Sequence, residues 1–389
     1  MKIYEIGTGY TSIPAQMGAA TEIVVEELTK AFQKNGIPVQ LIDIKDKKRL
    51  QNSLPITEVR IPHIFKNTDV ALGIMHKLKR VIYSIALANK LKHMIKKEND
   101  KIVIHFHNQY NMFFFLKMCS RKMREKVKLA YTVHSYIWPK EWEEIKNIVN
   151  KKYFQEIACV KNADYVFVLN EKTKDHFIHH LGVNRNNIFI IKNGVNTEIY
   201  QPLPQQENIE FKKKIGIEGK KIIFQVGSVC DRKNQLGILK DITSYLQHHK
   251  DNVFIYAGGV IDQNYQEEIQ RYADNNKIAE QVIYAGELQP GELLNKYYSA
   301  SNLFVFPSKL ESFGMVIVEA ISSGTHVVTA EELLFDLFSG YDVYRDKEEL
   351  EKLLDKYLDK KIVDLHGREE IIDKYSWEIV AKQHMEIWR

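Results

Sequence analysis

Long apolar runs, paired cysteines and a large charge of one sign are scarce in this sequence, and each shortage closes off a class of protein. No apolar stretch approaches the roughly 20 residues that span a bilayer, and the opening MKIYEIGTGY lacks the apolar centre of a signal peptide. It reads as a strand entering a loop. Cysteine occurs three times in 389 residues, at Cys119, Cys159 and Cys230, without CxxC spacing. A disulfide framework or cysteine zinc site is therefore not expected, and a reducing, cytoplasmic setting is. The net charge of +5 is mild for this length. It permits an anionic partner without identifying one, and no nucleic-acid recognition motif accompanies the basic residues. Internal repeats and low-complexity tracts are absent.

What the chain does contain is alternation. Short apolar runs rich in Val, Ile and Phe (KIYEIG, VQLIDI, KIVIHFH, KLAYTVH, YVFVLN) are separated by longer segments of helical period. A second series follows residue 220: KIIFQVG, VFIYAGG, QVIYAGE, LFVFPS and THVVTA. Runs apolar on both faces suit parallel strands covered by helices on each side. The polar, twice-prolyl stretch QPLPQQENIE (201–210) between the two series reads as a boundary. The expectation is an α/β protein of two doubly wound domains, 1–200 and 201–370, facing each other across a cleft. Segment 371–389, containing SWEIVAKQHMEIW, forms a closing helix that packs back on the first domain.

Ligands of open parallel sheets sit beyond the carboxyl ends of the strands, so the residues just after each run are the ones to examine. After LFVF comes PSKLESFGMVIVE (307–319), with Glu311 and Glu319 eight apart and Gly314 between them. A helix starting near Phe313 would present unpaired N–H groups as an anion site, and its eight residues would separate the two carboxylates by about 12 Å. After IIFQ comes VGSVCDRKNQ, where Arg232 and Lys233 can neutralise a diphosphate. His134 closes the run LAYTV, a position as compatible with structure as with catalysis. His105 and His107 end another run. One of them can line an acceptor pocket, whereas a metal is not expected, because no carboxylate follows at ligand spacing. Gly7-Thr-Gly9 lacks the third glycine of a dinucleotide fingerprint, since position 12 is Ser.

The stretch from Ser299 to Thr329 closely resembles the E-x7-E region of retaining GT-B glycosyltransferases of family four. The resemblance spans nearly the whole chain, strongly after residue 201 and loosely before it. It implies a GT-B fold and transfer of a hexose or N-acetylhexosamine from a nucleotide sugar, with a UDP-sugar favoured. The acceptor would be a hydroxyl of a glycan, lipid-linked or small-molecule substrate in cell-envelope glycan, polysaccharide or glycolipid synthesis. By resemblance, Glu311 contacts donor-sugar hydroxyls, Glu319 holds the ribose, and backbone at Phe313, Gly314 and Met315 meets sugar and phosphates. His134 would lie near the sugar. Gly18, opening the helix that runs to about Lys34 with Ala19 in place of a common Gly, would offer backbone N–H to the phosphates. Asn193-Gly194-Val195-Asn196 resembles an Asn-Gly-Val-Asp turn between the domains.

Two departures stand out. Ser228 occupies the position of an arginine, with Arg232 available to replace its charge, and 330–344 runs AEELLFDLFSGYDVY in place of a Gly-rich stretch with a glutamate. No Asp-x-Asp pair occurs, so metal-independent chemistry with no cofactor is expected. The alternatives are an inactive sugar-nucleotide-binding subunit of another transferase and a GT-B sugar-nucleotide epimerase. Segment 76–97 mixes Lys/Arg clusters with Val81, Ile82, Ile85, Leu87, Leu91 and Ile95, and a second basic patch runs from Lys117 to Lys128. These fit either a surface helix burying one face in its own domain or peripheral contact with an anionic membrane.

Overall fold

Every strand pairing in both sheets is parallel, as expected for runs buried on both faces. A computed structural model describes residues 1–15, 20–62, 74–134, 142–309, 311–330, 339–359 and 362–389. They form two compact units, Met1–Gly194 with Trp377–Arg389, and Val195–Ser376.

Among the described residues the first unit has seven strands: β1 (Lys2–Ile6), β2 (Val39–Ile44), β3 (Ile56–Val59), β4 (Ile102–Phe106), β5 (Val127–Thr132), β6 (Tyr165–Val168) and β7 (Ile188–Ile190). Their order is β3-β2-β1-β4-β5-β6-β7, so the winding reverses between β1 and β4. Ile6, Ile42, Ile104, Phe106, Leu129 and Val166 are completely buried along the strands. Such burial favours folding by roughly 1.5–3 kcal/mol for each large side chain. The helix Trp377–Trp388 belongs to this unit. Trp388 packs 5.6 Å from Phe32, and Lys34 pairs with Glu378 at 2.6 Å.

The second unit contains β8 (Lys221–Val226), β9 (Asn252–Ala257), β10 (Val282–Tyr284), β11 (Leu303–Phe306), β12 (Val327–Ala330) and β13 (Tyr341–Tyr344). Their order is β10-β9-β8-β11-β12-β13, reversing between β8 and β11. Reversal points of this kind open the crevices that bind ligands.

The chain passes from the first unit to the second after Gly194, where a Cβ would fall 2.5 Å from the Trp377 ring. Residues 201–210 lie wholly in the second unit. Gln201 N donates to Asn295 Oδ1 at 3.2 Å, Leu203 N donates to Ser299 Oγ at 2.8 Å, and a helix runs Gln205–Lys214.

Candidate functional site

Strand order, more than chain proximity, assembles the site of the second unit. β8 and β11 are neighbours, so the loops leaving their carboxyl ends meet. Asp231–Lys233 forms a single 3-10 turn after β8, closed by Asn234 in the left-handed conformation at φ 57°. Glu311 leaves β11 and reaches this turn. Its Oε1 lies 2.6 Å from Arg232 Nη1, accepts from Ser308 Oγ at 3.0 Å, and is also paired with Lys233 Nζ. Lys309 binds Asp231 Oδ1 at 2.7 Å, while its backbone N–H donates to Arg232 O at 3.0 Å. Three expected site residues thus share one carboxylate oxygen. Lys233 and Glu311 are largely buried, whereas the Arg232 side chain is 45% exposed. Ser228 sits at the same strand end, its carbonyl accepting from Gln235 Nε2 at 3.0 Å.

The helix following Glu311 begins at Met315, two residues later than its sequence pattern indicates. Gly314 causes the delay, because its φ of 80° lies outside the helical region and suits a residue without a Cβ. Glu311 therefore stands on a loop, and the helix-based spacing of about 12 Å between the two glutamates does not apply. Phe313 is buried against Tyr375, with ring centroids 5.9 Å apart, and Met315 opens the helix half-buried. Glu319, one turn on, is buried and accepts from Tyr298 OH at 3.0 Å. Burial raises its pKa from the ordinary 4.5 to about 7, against the opposing hydrogen bonds from Tyr298 and Tyr200.

In the first unit, β1, β4 and β5 bring four polar side chains together. Glu5 on β1 stands opposite His105 on β4. Glu5 Oε1 is 2.8 Å from His105 Nδ1, and Oε2 is 2.8 Å from His107 Nε2. His107 Nδ1 in turn lies 2.9 Å from Nε2 of His134, which is half-buried. The sequence pattern missed Glu5. A carboxylate does stand beside the histidines, contributed by a neighbouring strand instead of by downstream spacing, and Glu5, His105 and His107 have the composition of a metal site. All four ring nitrogens of the two histidines already have hydrogen-bond partners, the fourth being Thr132 Oγ1 at 2.7 Å from His105 Nε2. A cation would have to displace those bonds.

The chain matches known proteins over most of its length. The family profile described as Glycosyltransferase Family 4 covers residues 21–199, and that described as Glycosyl transferases group 1 covers 207–370. The chain belongs to glycosyltransferase family four. It is 23% identical over 236 residues to an uncharacterized glycosyltransferase of Methanocaldococcus jannaschii, covering 58% of this chain and 59% of that protein. With the alpha-maltose-1-phosphate synthase of Mycolicibacterium smegmatis it shares 22% identity over 318 residues, 76% of this chain and 81% of the relative. This chain thus spans less than two thirds of the first relative. Among solved structures, Anabaena HepE in complex with UDP and glucose superposes with a TM-score of 0.71 at 15% identity, over 99% of this chain and 98% of that one. The fold is GT-B.

Gly18 lies outside the described residues, as do Ser135–Trp138 and most of the divergent 330–344 segment. The helix Ile74–Lys97 divides along its length. Tyr83, Leu87, Leu91 and Ile95 are buried, while Ile74, Met75, Leu78 and Ile85 are exposed, Ile74 at 84%. The second basic patch is partly neutralised, because Arg124 and Lys128 both pair with Asp164, at 2.7 and 3.2 Å. Phe115 is core, and Phe113 packs edge-on against Phe154 at 5.5 Å. No helix among the described residues is long and apolar enough to cross a membrane.

Proposed function

We propose that this glycosyltransferase moves a hexose or N-acetylhexosamine from a nucleoside diphosphate sugar, with UDP the favoured carrier, to an acceptor hydroxyl with retention of configuration. The observation that carries the proposal is the sharing of one Glu311 oxygen by Arg232 and Lys233 at the β8–β11 reversal. Two cations tethered there form a ready partner for a diphosphate. On donor binding the diphosphate takes over the cations, and Glu311 turns to accept from sugar hydroxyls. Glu319 accepts from the ribose, and His134 meets the sugar.

In the reaction the bond between the anomeric carbon and the β-phosphate oxygen breaks as the acceptor oxygen bonds to that carbon from the same face. The acceptor proton passes to the departing phosphate oxygen, whose growing charge Arg232 and Lys233 stabilise without a metal. Donor turnover assayed across UDP-, GDP- and ADP-sugars in EDTA, with the product anomer read by proton NMR, tests this. Turnover of one donor to an α-linked product is expected. No turnover of any donor, or an inverted product, contradicts the proposal.

The acceptor side includes a lipid surface in this reading. The exposed Ile74, Met75, Leu78 and Ile85, beside Lys77, favour peripheral contact with anionic lipid through the amino-terminal half of their helix.

A further inference from the structure

A carboxylate in the middle of a buried strand is costly unless its oxygens are satisfied, and Glu5 satisfies both on histidines. The parallel register that sets Glu5 opposite His105 also brings His107, two residues on, to the same side of the sheet. His107 extends the chain of contacts to His134, its ring nearly parallel to that of His134 at 23° and 5.2 Å between centroids. Phe167, His384 and Trp388 wall the cluster around His105 at 5.4 to 5.6 Å.

The hydrogens along this chain can be assigned. Burial pushes the Glu5 pKa up, but the charge and hydrogen bonds of His105, with those of His107, outweigh it and hold Glu5 at about 2. An ionised carboxylate only accepts, so His107 Nε2 carries the hydrogen. Burial and the neighbouring His105 hold His107 at about 4, which leaves it neutral at pH 7. Its Nδ1 is then an acceptor, and the donor in the 2.9 Å contact is His134 Nε2–H. His134 is also held well below its ordinary value, by burial first and by His107 next. Its one hydrogen is accounted for.

We propose that Glu5 and His107 are positioning residues that fix the tautomer and plane of His134, keeping its hydrogen on Nε2 and making Nδ1 its acceptor nitrogen. This rests on the reading that His134 meets the donor sugar, but the tautomer can be tested without it.

The test is long-range proton–nitrogen NMR of protein labelled with ¹⁵N-histidine, with His134 and His107 assigned by H134A and H107F, together with donor kinetics. In the wild type both residues are expected as Nε2–H tautomers. H107F removes the acceptor, so the Nε2–H tautomer of His134 should lose population and kcat should fall roughly 10- to 100-fold, by analogy with loss of an outer partner of a metal-ligating imidazole. H107N places an amide oxygen near the position of Nδ1 and should restore most of the rate. In an H134A background H107F should cost nothing more. A wild-type His134 carrying its hydrogen on Nδ1, an equal H107F loss with and without His134, or stoichiometric zinc in the purified protein would overturn the relay. If H134A itself leaves transfer unchanged, the role of His134 in the proposed reaction fails, while the spectra still decide the tautomer.

Discussion

Arg232 Nη1 lies 2.6 Å from Glu311 Oε1, across 79 residues of sequence and two neighbouring strands. The same oxygen holds Lys233, so the carboxylate competes with any diphosphate for these cations. Removing it should separate two effects. In E311A, transfer is expected to fall by roughly 10- to 100-fold through lost contacts to the sugar, whereas affinity for free UDP should hold or rise. Steady-state kinetics and calorimetry would read the two quantities, and a matching fall in UDP affinity would contradict the competition.

Glu319 gives a pH dependence of defined sign. Its pKa is raised from 4.5 to about 7 by burial, so the unfolded chain ionises first as pH rises. The stability that this group contributes is present below about pH 4.5 and is lost through pH 7, a change of about 3 kcal/mol. E319Q lacks the titration, so its stability relative to wild type should increase by about that much between pH 4 and pH 8. Urea unfolding at both values measures it. Donor KM should fall over the same rise in pH as the carboxylate ionises, and a flat profile would deny Glu319 the ribose.

Gly314 sets the start of its helix from a left-handed conformation at φ 80°. G314A should cost about 1–2 kcal/mol of stability, because a Cβ is disfavoured there and would meet Ile317 Cδ1 at 3.3 Å. The donor KM should rise with it. A thermal melt and donor titration of the variant would show both, and an unchanged KM would separate the helix start from the donor.

Much of the architecture was legible because strands buried on both faces write continuous apolar runs. The runs expected in each half coincide with β1, β2, β4, β5 and β6 and with β8 to β12. β3, β7 and β13, each at an edge of its sheet, were not among the expected runs. Glu311, Arg232, Lys233 and His134 were picked out as candidates by looking just past strand ends. Glu5 was not, because it sits inside a strand and its partners lie 100 and 102 residues away. A charged residue within the run KIYEIG was the available signal. The pairing of Glu311 with Arg232 and Lys233 depends on β8 lying beside β11, which local pattern does not encode.

The exposed apolar turn at Ile74, Met75 and Leu78 predicts salt-sensitive co-sedimentation with vesicles containing anionic lipid. Replacing the three residues with serine should abolish that binding while changing stability little, since all three are exposed. Absence of co-sedimentation by the wild type at low salt would remove the lipid contact without touching the donor site.

The account centres on two cations that grip the donor diphosphate without a metal. Calorimetric titration of UDP, GDP and ADP in EDTA, into wild type and an R232A/K233A variant, tests it most directly. One nucleotide should bind the wild type, and the variant should lose roughly 10- to 100-fold or more in affinity for it. Equal affinity for the two proteins, or wild-type binding only when a divalent ion is added, would contradict the account.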